Sequence, residues 1–123
     1  MEKSAALIAF AALGQETRLD VFRLLVKAGP EGMTAGAISE ALDVRPNTLS
    51  THLAALARSG LVHASREGRS IHYFADLSAV QALVLYLLQD CCGGQPELCA
   101  PIAELANAPV QPPGARPSAR PIP

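Results

Sequence analysis

The stretch TAGAISEALDVRPNTLSTHLAALARSG, residues 34–60, decides the fold. Thr34 can accept a hydrogen bond from an amide of the following turn and so cap a short helix, in which Ile38, Ala41 and Leu42 form the apolar stripe up to about Asp43. A brief turn at Val44-Arg45 comes next. Pro46 suits the first position of a second helix, because its missing N–H would have no intrahelical partner there. Leu49, Leu53 and Leu56 then recur at +4 and +7, giving that helix a core-facing side, and Gly60 ends it. Two short helices joined by so tight a turn predict a helix-turn-helix.

Downstream, residues 61–65 and 70–75 read as two short strands flanking Arg66-Glu67-Gly68-Arg69, where Gly68 can supply the positive φ of a hairpin turn. This is a β-wing. From Asp76, a candidate cap, Leu77, Val80, Leu83, Val84 and Leu87 return to the helical period and continue to about Asp90. Upstream, residues 16–27 carry Leu19, Phe22, Leu25 and Val26 at helical spacing, closed by Gly29-Pro30. Ser4 is a candidate cap for a first helix reaching about Leu13, with Leu7, Phe10 and Ala11 on one face, and Gly14 breaks it. The expected fold class is mainly α with a small β-hairpin, a winged helix-turn-helix over residues 1–92. A thiol-bearing segment over 91–105 follows. Residues 106–123 hold six of the ten prolines and no apolar period, which predicts a disordered tail.

Composition agrees with one helical domain. A chain of 123 residues is too short for two ordinary domains, and 50% hydrophobic against 17% charged residues excludes wholesale disorder. Aromatics are only 4%, with no Trp, so the core must be aliphatic, which suits helix-on-helix packing. No nucleophile–base pairing or phosphate-cradling glycine loop points to an enzyme, and no organic cofactor is called for. The apolar residues 5–13 lack a cleavage signal and residues 79–88 are too few to span a bilayer, so the expected setting is cytoplasmic, without a membrane partner.

The net charge of −1 hides a gradient. Residues 45–72 carry Arg45, Arg58, Arg66 and Arg69 against the single acid Glu67, with all three histidines, His52, His63 and His72, in the same stretch. A basic band on a mildly acidic body is the electrostatic footprint of a small DNA-binding domain. With Leu49, Leu53 and Leu56 inward, 100° per residue puts Asn47, Thr51, Ala54 and Arg58 on the opposite face, with Thr48 and Ser50 beside them. That small polar face suits a major groove, Asn matching adenine edges and Ser or Thr matching phosphates or bases. Arg66 and Arg69 bracket the hairpin tip and can reach a phosphate or a minor groove; charge there also discourages edge-to-edge aggregation. His52, at the border of the core face, reads as structural or phosphate-contacting. His63 and His72 can meet across the strands, but two His make a poor metal site without a third ligand. The apolar Leu77, Val80, Val84 and Leu87, together with Leu7 and Phe10, call for a homodimer interface. Double-stranded operator DNA is the expected partner.

In sequence order, LGQETRL at residues 13–19, FRLL at 22–25, LDVRPNTLSTHL at 42–53, GLV at 60–62 and REGR at 66–69 resemble the ArsR/SmtB family of metal-responsive repressors. The resemblance covers about residues 5–92. It implies a winged-helix homodimer joined through its first and last helices, binding an operator that overlaps a promoter. Arg45 stands where the family commonly has Ser, so either a helix cap is lost there or Arg45 contacts phosphate.

Cys91, Cys92 and Cys99 flank a segment containing Gly93, Gly94 and Pro96, so the chain can fold back and bring three sulfurs onto one ion. Three thiolates match pyramidal arsenic(III), and antimony(III) would fit the same site, whereas zinc wants a fourth ligand. The segment entering the third helix has no cysteine and no His follows His72, so two metal sites best known in the family are missing. What remains resembles the arsenic-responsive subgroup with thiols after the last helix. The alternatives are incidental cysteines, a thiol redox or persulfide sensor, an intermolecular bridge, and an interaction module with a degenerate winged helix.

Overall fold

A computed structural model describes residues 1–89. Five helices run α1 (Lys3–Leu13), α2 (Glu16–Ala28), α3 (Ala35–Leu42), α4 (Pro46–Arg58) and α5 (Leu77–Leu87), with strands β1 (Met33–Thr34), β2 (Val62–Glu67) and β3 (Ser70–Ala75). The segments 91–105 and 106–123, with Cys91, Cys92 and Cys99, lie outside the described residues.

Helix ends follow local chemistry. Thr34 Oγ1 accepts from the Ala37 amide at 3.2 Å and starts α3, while Asp76 Oδ1 accepts from the amides of Ser78 and Ala79 at 3.1 and 3.3 Å and starts α5. Gln15 caps α2 by accepting from the Arg18 amide at 2.9 Å. Ser4 does not cap α1: the helix begins one residue earlier, at Lys3, and its N-cap Glu2 makes no side-chain bond. The fifth helix ends at Leu87 rather than near Asp90.

The core is aliphatic. Val21, Leu25, Ile38, Leu49, Leu56 and Leu61 are fully buried, each stabilising the fold by roughly 1.5–3 kcal/mol relative to exposure. Three helix faces differ from those the spacing suggested. On α1 the buried positions are Ala6, Ala9 and Ala12, while Leu7, Phe10 and Ala11 stay exposed. Alanines let α1 lie close on α2 and α4, an approach that larger side chains would prevent. On α2, Val21 joins Phe22 and Leu25 inside, and Leu19 and Val26 remain exposed. Ala41 of α3 is likewise exposed.

The sheet has three antiparallel strands in the order β1-β3-β2, one more than the hairpin expected. Residues Met33 and Thr34 pair with Tyr73 and His72, so the segment entering α3 covers part of the outer edge of β3. The β2–β3 register runs from Val62↔Ala75 to Glu67↔Ser70, which leaves Gly68-Arg69 as a two-residue turn. Gly68 has φ +63 and Arg69 does not share the positive φ, the pattern of a type II′ turn.

Candidate nucleic-acid interface

Helix α4 is placed by its apolar side. Leu49, Leu53 and Leu56 are 0%, 3% and 0% exposed, which turns Asn47, Ser50, Thr51, Ala54 and Arg58 outward, all of them exposed together with Arg45 and Thr48. Arg45 occupies the N-cap and makes no side-chain cap bond, since a guanidinium is a donor only and cannot accept from the first amides of the helix. Asn47 Oδ1 accepts from the Thr48 amide at 3.0 Å, and the Thr51 hydroxyl donates to the Asn47 carbonyl at 3.4 Å. These bonds hold the first turn in shape, and the face they support is narrow and polar. The turn before it is made by Asp43 in the left-handed conformation (φ 54), with the Val44 amide bonding back to the Ser39 carbonyl at 3.1 Å.

Strand alternation sorts the wing. Arg66 sits opposite Ile71, and Ala64 opposite Tyr73, on one face; Glu67, Ser65 and His63 share the other face with Ser70, His72 and Phe74. The acid is therefore separated from Arg66, and its carboxylate lies 3.8 Å from His72 Nε2. Arg66 lies within β2 and Arg69 in the turn, so only the second is at the tip proper. His63 and His72 do not meet across the strands: their partners are Phe74 and Ser65, and the His63 ring stacks on Phe74 at 5.3 Å. Among the described residues no three His, Cys, Asp or Glu are placed to hold a metal.

His52 is half-buried and accepts at Nδ1 from Arg18 Nε at 3.2 Å, which ties α4 to α2. Spacing along the chain gave no sign of this pair, whose members are 34 residues apart. Of the expected interface residues, Leu7, Phe10, Leu77 and Leu87 are 59%, 40%, 45% and 58% exposed, and Val80 and Val84 are partly buried. Ile8 and Leu85 add to this uncovered apolar surface, on two helices that pack against each other.

A helix-turn-helix followed by a β-hairpin wing, which β1 joins as a third strand, defines a winged-helix protein. The helix-turn-helix domain family matches residues 13–63. The transcriptional activator HlyU of Vibrio cholerae serotype O1 is 30% identical over 94 residues, covering 75% of this chain and 84% of the relative. Among solved structures, an ArsR-like transcriptional regulator from Rhodococcus sp. RHA1 superposes with a TM-score of 0.64 at 27% identity, covering 84% of this chain and 93% of that one. Reduced HlyU from Vibrio cholerae gives 0.55 at 26% identity, covering 70% and 90%. The chain belongs to the ArsR-like, HlyU-type family of winged-helix transcriptional regulators, which are not enzymes. Among the described residues no helix is long and apolar enough to cross a membrane.

Proposed function

We propose that the protein is a homodimeric transcriptional repressor that binds operator DNA through α4 and the wing and releases it when Cys91, Cys92 and Cys99 bind arsenic(III). The observation that carries the DNA half is the exposed face of α4, small and polar from Asn47 to Arg58, with arginines at both of its ends and on the wing. Asn47 and Thr51 read bases; Arg45, Thr48, Ser50, Arg58, Arg66 and Arg69 hold phosphates or flank them. The dimer half rests on the uncovered apolar residues of α1 and α5, which a two-fold copy would bury. The two reading helices of such a dimer sit about 34 Å apart, one turn of DNA, and call for an inverted repeat.

The trigger rests on thiol chemistry. Three thiolates supply the donor set that arsenic(III) takes, antimony(III) fits the same set, and protons leave as the ion binds. HlyU is named an activator, so repression is part of this proposal; it follows where the bound operator overlaps a promoter.

A second reading has one observation in its favour: a structure similar to this chain is described as the reduced form of HlyU. On that reading an oxidant takes two electrons and two protons from Cys99 and one of the adjacent pair, leaving a disulfide.

Selection of duplexes from a random pool, followed by sedimentation of the complex, tests the shared part. Two chains on an imperfect inverted repeat support it. A monomer at micromolar concentration, or no duplex enriched, overturns it and favours an interaction module. Release by arsenite in reducing buffer separates the first trigger from release by an oxidant alone.

A further inference from the structure

The Arg18–His52 hydrogen bond joins α2 to α4, two helices that also bury apolar side chains. Helix α4 faces inward through Leu49, Leu53, Leu56 and the half-buried His52, and α2 through Val21, Phe22 and Leu25. Leucine contacts seat α4 and decide which side faces inward, yet they are not directional and leave small changes of roll within that seating weakly opposed. A hydrogen bond from a guanidinium Nε–H to an imidazole Nδ1 is directional: it prefers an angle above about 150° and weakens steeply below about 120°. Held at Nδ1, the imidazole carries its proton on Nε2.

The position of the bond matters as much as its chemistry. Arg18 lies on α2, which packs against α1; α1 in turn packs against α5, after which the cysteine segment begins. His52 lies one turn after Thr48 and one residue after Thr51, on the helix that carries the reading face. We propose that Arg18 is a positioning residue for DNA reading: within the seating that the leucines give α4, its bond to His52 sets the fine roll of the helix against the α1–α2–α5 body and so the aim of Asn47 and Thr51. This rests on the reading of α4 as the DNA-contacting helix.

The test compares affinities for a selected operator and for a mixed-sequence duplex of equal length, by fluorescence anisotropy on the full chain. A variant that is merely less folded loses both affinities by the same factor, so their ratio does not move. Misaimed base contacts lower the ratio alone. Arg18→Met and His52→Gln, which shifts the polar group to the Nε2 position, are expected to lower it about tenfold. His52→Asn, whose amide oxygen can take the place of Nδ1, is expected to restore most of it. An unchanged ratio in Arg18→Met and His52→Gln overturns the proposal, and His52→Gln decides alone should Arg18→Met not fold. A flatter salt dependence with an unchanged ratio in Arg18→Met would make Arg18 a phosphate contact instead, also overturning it. If wild type binds neither duplex at low salt, the DNA-binding reading itself fails, and this inference falls with it.

Discussion

A β-carbon built on Gly32 would lie 2.6 Å from the carbonyl oxygen of Tyr73, so the backbone entering β1 touches the backbone of β3 with no room for a side chain. The same atom would lie 2.7 Å from the Phe74 ring, and Gly32 has φ +66. Glycine is required here twice over, by conformation and by contact. Gly32→Ala should therefore lower the unfolding free energy by about 2 kcal/mol or more, because both the clash and the positive φ act against it. Gly29, at φ +70 with nothing within 4 Å, supplies the comparison. Gly29→Ala should carry only the conformational cost, about 1–3 kcal/mol, and so lose less than Gly32→Ala. Urea unfolding followed by circular dichroism measures both, and equal losses would contradict the close contact.

Asp43 ends α3 in the left-handed region at φ 54, a conformation that costs a residue with a β-carbon about 1 kcal/mol. Asp43→Gly should raise stability by about 0.5–1 kcal/mol, part of the relief being offset by the greater freedom of glycine in the unfolded chain. Asp43→Val should lower stability, since branching at the β-carbon worsens that conformation. Thermal unfolding of the two variants should move the midpoint in opposite directions; a shift in the same direction would refute a strained turn.

Much of this was legible in the residues themselves. The interval Leu49, Leu53, Leu56 fixes which side of α4 is inside, and Thr34, Pro46 and Asp76 mark helix starts through chemistry confined to a few atoms. Gly68 announces its turn for the same reason. The failures share a different cause. β1 is two residues long, too short for any alternation, and exists because β3 offers an open edge. Alanines line the buried face of α1 because the neighbouring helices come close, a distance that no local pattern encodes, and a search for large apolar residues finds Leu7 and Phe10 instead. Likewise, Arg18 and His52 meet only after the chain folds. For the candidate interface, the outward set on α4 followed from helical periodicity, whereas the separation of Glu67 from Arg66 came from strand register.

The wing and the reading helix should fail in different ways. Arg69 occupies the exposed hairpin turn, so Arg69→Ala is expected to weaken binding to all sequences alike and to flatten the salt dependence by about 0.9 for each phosphate that the side chain neutralises. Asn47→Ala, on the outward side of α4, should leave that slope in place and relax the preference at one base pair by about 1–3 kcal/mol. Anisotropy titrations across a salt series, with operator and single-base variants, separate the two. A wild-type slope and affinity in Arg69→Ala would remove the wing from the interface.

The most direct measurement is titration of the operator complex with arsenite in reducing buffer, read by fluorescence anisotropy, for wild type and for Cys99→Ser. To loosen the operator a hundredfold, arsenic(III) must bind the free dimer more tightly than the DNA-bound one by roughly 2.7 kcal/mol. Wild type is expected to release DNA, whereas Cys99→Ser should bind the operator equally well but hold it throughout the titration. Release of Cys99→Ser at the same arsenite concentration as wild type would contradict a three-thiol trigger.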